Sequence, residues 1–200
     1  MKALSVESSD RNLLVQFPKD IPMGREEFFD FCQANGELRI ERDAVGNIIV
    51  MSPTGIETGG RNASLTSQVY VWTRNEGGGK SFDSSAAFEL PNGATRSPDV
   101  SWLSPGKWNA LPAEERGRFA RVCPDFVIQL RSRTDRLSVL QAKMEEYIAN
   151  GAKLGFLIDP QEGKVAVYRP GKDAEIQNKP MTLSAEPEMP GLVLDLEDVW

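Results

Sequence analysis

One segment in the second half of the chain, with the pattern strand–helix–strand, restricts the possible folds most strongly. Residues 122–130 alternate between the two faces of a strand, and residues 137–150 repeat apolar side chains at helical spacing. Residues 154–158 are apolar throughout, which indicates a central strand. Together these patterns predict an α/β or α+β fold in which a mixed β-sheet is flanked by helices.

The first half of the chain supplies further elements of both kinds. It predicts a helix over residues 24–35, a strand–turn–strand unit over residues 38–51 and a second helix over residues 61–75. Asn92-Gly93 lies between two strand-like runs and predicts a hairpin, whose returning strand covers residues 97–103.

Composition along the chain divides it into three parts. Residues 1–20 are polar and predict an N-terminal arm, residues 21–172 hold the main domain, and the acidic residues 173–200 predict an extension that packs on that domain. An exposed edge strand near the C-terminus allows a homodimer.

The absence of histidine limits the chemistry available to the chain. The 200 residues contain none, which excludes a histidine general base, Ser-His and Cys-His nucleophile pairs, and every histidine-containing metal site. Cys32 and Cys123 lie too far apart in sequence for a zinc cluster and predict free thiols in a reducing compartment. A catalytic metal would then be a hard ion, Mg²⁺ or Mn²⁺, on oxygen ligands.

Other features concern location and partners. No apolar run is long enough for a membrane span and the N-terminus lacks a signal-peptide pattern, so a cytoplasmic location without membrane contact is expected. The net charge of -6 disfavours a protein that coats duplex DNA but allows a local basic groove. Residues 116–136 carry six arginines against two aspartates, which indicates either such a groove or a solvated loop.

Four polar residues stand where a strand or helix face favours apolar ones. Asp99 begins a strand after Pro98, Gln129 interrupts an apolar strand, Glu41 ends a short strand, and Lys143 flanks a helical stripe. If they converge, an acid, a polar strand residue and a lysine suit metal-assisted phosphodiester hydrolysis. Each also has a structural explanation, such as local backbone hydrogen bonds for the aspartate or a solvated stem for the lysine.

Six sets of segments carry a resemblance to a known family. They are Leu38 to Glu41, Ile49 to Gly55, Arg96 to Ser101, Cys123 to Gln129, Lys143 to Tyr147 with Gly151, and Leu157 to Pro160 with Val167 to Pro170. In this order and spacing the chain resembles the Uma2 family, or DUF820, over roughly residues 20–172. The resemblance implies the PD-(D/E)XK restriction-endonuclease-like fold and a metal-dependent endonuclease that acts on nucleic acid, with DNA as the expected partner.

The resemblance also implies roles for individual residues. The metal ligands fall on Asp99, Glu41 and Gln129, and the catalytic lysine, which comes from the following helix in this family, falls on Lys143. Arg131 follows Gln129 at the spacing of an acid-x-lysine motif, and Arg131 and Arg133 are expected to contact the substrate.

Gln129 departs from the family pattern, which has a glutamate here. Its carbonyl oxygen can still ligate Mg²⁺ or Mn²⁺, but it lacks a charge worth on the order of 4 kcal/mol at about 4 Å. Cation binding is therefore expected to be weakened, unless another acid such as Asp125 compensates. The alternative is a weakened or inactive nuclease fold that binds nucleic acid or protein, and a further alternative is a metal-independent enzyme of another class.

A loop over residues 52–60 has a weaker signal of its own. It contains several glycines and leads into a helix, so it could hold an anion at the N-terminus of that helix.

Overall fold

The computed structural model describes residues 23–200, together with residues 5–9 and 12–16 as backbone. Its α-helices are α1 (Arg25–Ala34), α2 (Ile56–Trp72), α3 (Pro105–Ala110) and α4 (Leu137–Ala149). Its strands are β1 (Ser5–Ser9), β2 (Asn12–Gln16), β3 (Arg39–Arg42), β4 (Ile48–Met51), β5 (Lys80–Asp83), β6 (Phe88–Glu89), β7 (Thr95–Arg96), β8 (Val100–Leu103), β9 (Ala120–Arg121), β10 (Phe126–Leu130), β11 (Leu154–Asp159), β12 (Lys164–Tyr168), β13 (Glu175–Asn178), β14 (Thr182–Ser184) and β15 (Val193–Asp195).

A six-stranded mixed sheet forms the centre of the molecule. Its strand order is β13-β12-β11-β10-β8-β5, and β10 and β11 are parallel while the other neighbours are antiparallel. Helix α4 connects the two parallel strands, as a crossover between parallel strands requires. The predicted fold class, a mixed sheet flanked by helices, is confirmed.

Side chains of β10 alternate between the two faces of the six-stranded sheet, one covered by α2 and the other by α4. Phe126, Ile128 and Leu130 pack in one core with residues of α2, where Trp72 and Trp102 meet edge to face at 5.2 Å. Val127 packs in the other core with Met144 and Tyr147 of α4. Since side chains two apart share a face, Gln129 points to the same side as Val127, toward α4.

A second, seven-stranded sheet has the order β1-β2-β4-β3-β7-β6-β9. The chain leaves this sheet after Arg96 and joins the six-stranded sheet at Val100. Asp99 lies in this link, and Glu41 lies on β3, whose Arg42 pairs with Thr95 of β7. Asp99 of the link and Glu41 of the seven-stranded sheet therefore both lie near α4.

The hairpin at Asn92-Gly93 forms, but its returning strand differs from the prediction. Phe88 pairs with Arg96 across the turn, where Gly93 takes a positive φ of 87°. The returning strand ends at Arg96, and Val100–Leu103 belongs to the other sheet. Pro98, which has no amide hydrogen to continue a ladder, separates the two strands.

Helix α2 begins five residues before its predicted start. The glycines at 59 and 60 have low helix propensity and resemble a loop in the sequence. In the structure Thr58 of the first turn is buried, so tertiary packing outweighs the local preference of the glycines.

The two ends of the chain also form strands. Within residues 1–20, part of which lies outside the described residues, β1 pairs with β2, and β2 pairs with β4. Residues 173–200 add β13 to the edge of the six-stranded sheet and bury Leu183, Leu194 and Val199 in the core that contains α2. Among the described residues, no helix has the length and apolarity needed to cross a bilayer.

Phe156→Ala tests the central position of β11. Phe156 is fully buried and meets Phe126 edge to face at 5.2 Å, so its truncation should reduce the free energy of unfolding by about 3–5 kcal/mol. Tyr70→Ala is the matched aromatic control, because Tyr70 is 55% exposed on α2. Urea denaturation measures both, and equal losses would contradict the assigned core.

Candidate active site

One cavity of about 550 Å³ lies between β3, the β7–β8 link, β10 and α4. All four residues that the sequence singled out, Glu41, Asp99, Gln129 and Lys143, line it. They come from four separate elements, and Glu41 and Lys143 are 102 positions apart in the chain. The structure therefore places in one cavity four side chains that are far apart in the sequence.

A buried ion pair between Glu41 and Lys143 organises the cavity. Lys143 Nζ lies 2.6 Å from Glu41 Oε1, which also accepts a 2.8 Å hydrogen bond from the Ser97 amide. Arg96 Nη1 lies 3.2 Å from Glu41 Oε2. Burial by itself would raise the pKa of the Glu41 carboxyl, but the Lys143 and Arg96 cations and the Ser97 amide hold it below its ordinary value.

These contacts change the role expected of Glu41. Both of its oxygens are engaged by protein donors, so this carboxylate serves to hold Lys143 and Arg96 in place. As a metal ligand, the role implied by the resemblance, it would have to share an oxygen with these cations.

Arg96 and Glu146 extend this network, although the sequence predicted no role for either side chain. Arg96 Nε lies 2.6 Å from Glu146 Oε2, and its partners raise the pKa of the guanidinium further above its usual value even though burial opposes this. Tyr147 is fully buried, and its ring lies 6.0 Å from Lys143 Nζ. The only sequence signal for Arg96 is its place directly before Ser97-Pro98-Asp99.

Asp99 is held differently from Glu41. Its Oδ2 accepts a 2.8 Å hydrogen bond from the Leu130 amide, and its own amide donates to the Ile128 carbonyl at 3.1 Å. Burial raises the pKa of the Asp99 carboxyl, and the Leu130 amide and the Lys143 charge offset only part of this rise. Such a carboxyl would gain from a cation bound in the cavity.

Gln129 lines the same cavity, and its side-chain nitrogen is buried without a partner in the described part of the chain. Its side chain is 4% exposed, and its Nε2 has no hydrogen-bond partner among the described residues. A buried donor without an acceptor costs about 1–3 kcal/mol.

The donor set fits a weakly held hard cation. The Asp99 carboxylate and the Gln129 amide carbonyl are oxygen donors of the kind that Mg²⁺ and Mn²⁺ prefer, and they line one cavity. However, no group of three acidic, cysteine or histidine side chains suited to a metal occurs in residues 23–200. Because position 129 is a glutamine, the site has one negative charge fewer than the resemblance implies for the family.

Asp125 does not compensate for the missing charge. It accepts a 2.9 Å hydrogen bond from the Ser104 amide, lies within 3.3 Å of Lys107 and Lys153, and does not line the cavity. It precedes β10 by one residue, so a strand length of about 13 Å separates it from Gln129.

The two arginines expected to contact substrate lie in different surroundings. Arg131 Nη1 forms a 2.7 Å ion pair with the buried Asp159, and its Nε donates to the Asp135 carbonyl at 3.2 Å. Arg131 thus links β10 to the end of β11 and does not line the cavity. Arg133 is exposed and lines a neighbouring cavity.

Neither cysteine offers a nucleophile. Burial raises the pKa of Cys32 to about 11 and that of Cys123 to about 12, so both thiols stay protonated at neutral pH. Both are free cysteines.

Comparisons with known proteins agree with the geometry. A family model described as "Uma2: Putative restriction endonuclease" matches residues 25–197. A crystal structure described as "a putative nuclease belonging to DUF820" from Anabaena variabilis ATCC 29413 has 22% sequence identity and a TM-score of 0.67, and the match covers 82% of this chain and 90% of that chain. That similarity shows a shared fold. Among curated proteins, none matches this sequence.

Lys143→Met should destabilise the protein in a pH-dependent way. At pH 7 it leaves the buried Glu41 carboxylate with one of its two cations, which should cost about 3 kcal/mol of unfolding free energy. Because the pKa of Glu41 in the folded protein lies below the ordinary value of a glutamate carboxyl, the ion pair contributes its full stabilisation above that ordinary value. Its contribution is lost as the pH falls through the folded pKa.

Urea denaturation at pH 7 and pH 3 measures the effect, which should be largest at pH 7. Lys164→Met is the control, since Lys164 pairs with Glu162 on the surface. A loss for Lys143→Met that is the same at both pH values would contradict the role of the ion pair.

Proposed function

Because the chain belongs to the Uma2 family, we propose that it is a nuclease that hydrolyses phosphodiester bonds of nucleic acid with a divalent metal ion. The observation that carries the proposal is the convergence of Asp99, Gln129 and Lys143 on one cavity of about 550 Å³. These are the positions at which the family pattern has its aspartate, its second acid and its lysine. We take DNA as the substrate, and Mg²⁺ or Mn²⁺ as the metal.

The metal would be held by the Asp99 carboxylate and the Gln129 carbonyl. When bound, such an ion lowers the pKa of a coordinated water and offsets negative charge on the phosphate. Residues of the chain itself position the metal ligand and the lysine. Asp99 is fixed by the Leu130 amide, so its carboxylate has a defined direction in the cavity.

Lys143 is the group best placed to act on the phosphate or on the attacking water. Its ammonium is held 2.6 Å from Glu41 Oε1 and is 10% exposed, so it is oriented before substrate arrives. Its charge can compensate the negative charge that develops on the phosphoryl oxygens. Glu41 is then a positioning residue, since it acts through Lys143 and Arg96.

A second candidate function is a binding module that keeps the fold without efficient hydrolysis. The specific observation in its favour is Gln129, which replaces an acid and leaves its Nε2 without a partner. A neutral amide weakens cation binding while it can still donate to a phosphate oxygen. The two functions differ in whether phosphodiester bonds are cut.

Asp99→Asn should abolish hydrolysis. Asparagine keeps a carbonyl oxygen for the Leu130 amide but loses the charge, so nicking of supercoiled plasmid with Mg²⁺ or Mn²⁺ should fall about 10²-fold or more. Asp173→Asn removes an exposed carboxylate outside the cavity and should leave the rate unchanged. Equal nicking by both variants would exclude the assignment, and no nicking by wild type would favour the binding module.

Gln129→Glu should restore the missing charge. We expect the affinity for Mn²⁺, measured by isothermal titration calorimetry, to rise about 10–100-fold, which is less than the full Coulomb energy because burial of the new charge opposes it. Gln33→Glu, on the exposed side of α1, adds the same charge elsewhere and should not change the affinity. A wild-type affinity that already equals that of Gln129→Glu would show that the amide does not weaken the site.

A further inference from the structure

Strand β13 forms one edge of the six-stranded sheet and is open to a further strand. In the part of the chain that the structure describes, β12 is its only neighbouring strand. Its sequence, Glu-Ile-Gln-Asn, contains no proline and no lysine, the residues that commonly protect a sheet edge from pairing with another chain. Ile176 at its centre is 52% exposed.

The hydrogen bonds to β12 show which backbone groups of β13 face outward. The Lys179 amide donates to the Gly163 carbonyl at 2.7 Å, which makes these two residues a hydrogen-bonded pair in the register of the two strands. In antiparallel strands such pairs alternate with pairs that exchange no hydrogen bonds. The odd-numbered residues of β13 therefore bond to β12, and the amides and carbonyls of Ala174, Ile176 and Asn178 point away from it.

A second copy of the same edge can satisfy all of these groups in one register. Antiparallel pairing about a two-fold axis must join outward-facing residues to outward-facing residues. With the axis at Ile176, each Ile176 faces its own copy, and Ala174 faces Asn178 of the other chain. These pairs form about six hydrogen bonds, because each hydrogen-bonded pair exchanges two.

Charge favours the same register. Lys179 follows β13 directly, and Asp173 precedes the strand by two residues. With the axis at Ile176, Lys179 of one copy comes level with Asp173 of the other and is the diagonal neighbour of Glu175. Opposite charges at such positions stabilise a pair of strands, and the two-fold axis repeats the contact at the other end.

The neighbouring registers are less favourable. An axis at Glu175 places two like charges directly opposite each other, which destabilises the pairing. An axis at Gln177 places Ala174 opposite Pro180, which has no amide hydrogen to donate. The edge of β13 is therefore self-complementary about Ile176.

The same pairing covers an exposed apolar side chain. Ile176 lies opposite Ala166 of β12, which packs in the core that contains Met144 and Tyr147 of α4. Ile176 thus stands at the margin of this core. In the paired state the two Ile176 side chains lie next to each other on the same face of the sheet, so each removes apolar area of the other from water.

We propose that β13 is a homodimer interface, at which two copies of the chain pair antiparallel about Ile176 and join their six-stranded sheets into one. The proposal is independent of the nuclease proposal, since residues 173–180 line neither the candidate active site nor the neighbouring cavity. Because each copy contributes one short strand, we expect a weak dimer with a dissociation constant of about 10–100 μM.

The test measures the mass of the full chain in solution with reducing agent present. Sedimentation equilibrium from about 5 to 300 μM should show the average mass rise from 22.1 kDa toward twice this value. Ile176→Lys places two ammonium groups opposite each other at the axis, so it should weaken the dimer at least about 10-fold. Ile176→Glu should weaken it in the same way.

An equimolar mixture of Ile176→Lys and Ile176→Glu should restore the dimer, because lysine then faces glutamate at the axis. A variant that merely misfolds gives no such rescue. No dimer in the mixture would therefore overturn the proposal.

Val71→Lys is the matched control. Val71 is 54% exposed on α2, which packs against β5 and β8 at the opposite edge of the sheet. This variant should dimerise as wild type does. A wild-type chain that stays monomeric up to about 300 μM, an Ile176→Lys variant that dimerises as wild type does, or equal losses in the two lysine variants would overturn the proposal.

Discussion

The buried ion pair between Lys143 and Glu41 joins the parts of this molecule on which the candidate site depends. Lys143 belongs to α4, which packs on the six-stranded sheet, while Glu41 belongs to β3 of the other sheet. A carboxylate this deeply buried needs cationic partners, because an unpaired buried charge costs several kcal/mol. The pair therefore holds the two sheets in a fixed relation, and the β7–β8 link that carries Asp99 runs between them.

The same interaction explains why the acidic residues of the cavity are not equivalent. Glu41 is saturated by Lys143, Arg96 and the Ser97 amide, whereas Asp99 retains a raised pKa that a bound cation would lower. If Gln129 stands in place of an acid, as the resemblance implies, Asp99 would be the principal anionic donor for the proposed metal. Under the proposed function, the metal would be held by a single carboxylate and a neutral amide, so position 129 would decide between hydrolysis and binding alone.

The sequence by itself determined the elements whose periodicity is strong, namely β10, α4 and β11, and the absence of histidine chemistry. It also singled out Glu41, Asp99, Gln129 and Lys143 as polar residues at positions that favour apolar ones, and the resemblance of the surrounding segments to a known family implied their roles. Only the tertiary structure decided that Arg96 forms an ion pair with Glu41 and that Arg131 forms one with Asp159. It also decided that Asp125 lies outside the cavity. The reason is physical: periodicity is a local property of the chain, whereas the partner of a buried charge can lie a hundred residues away and is chosen by packing.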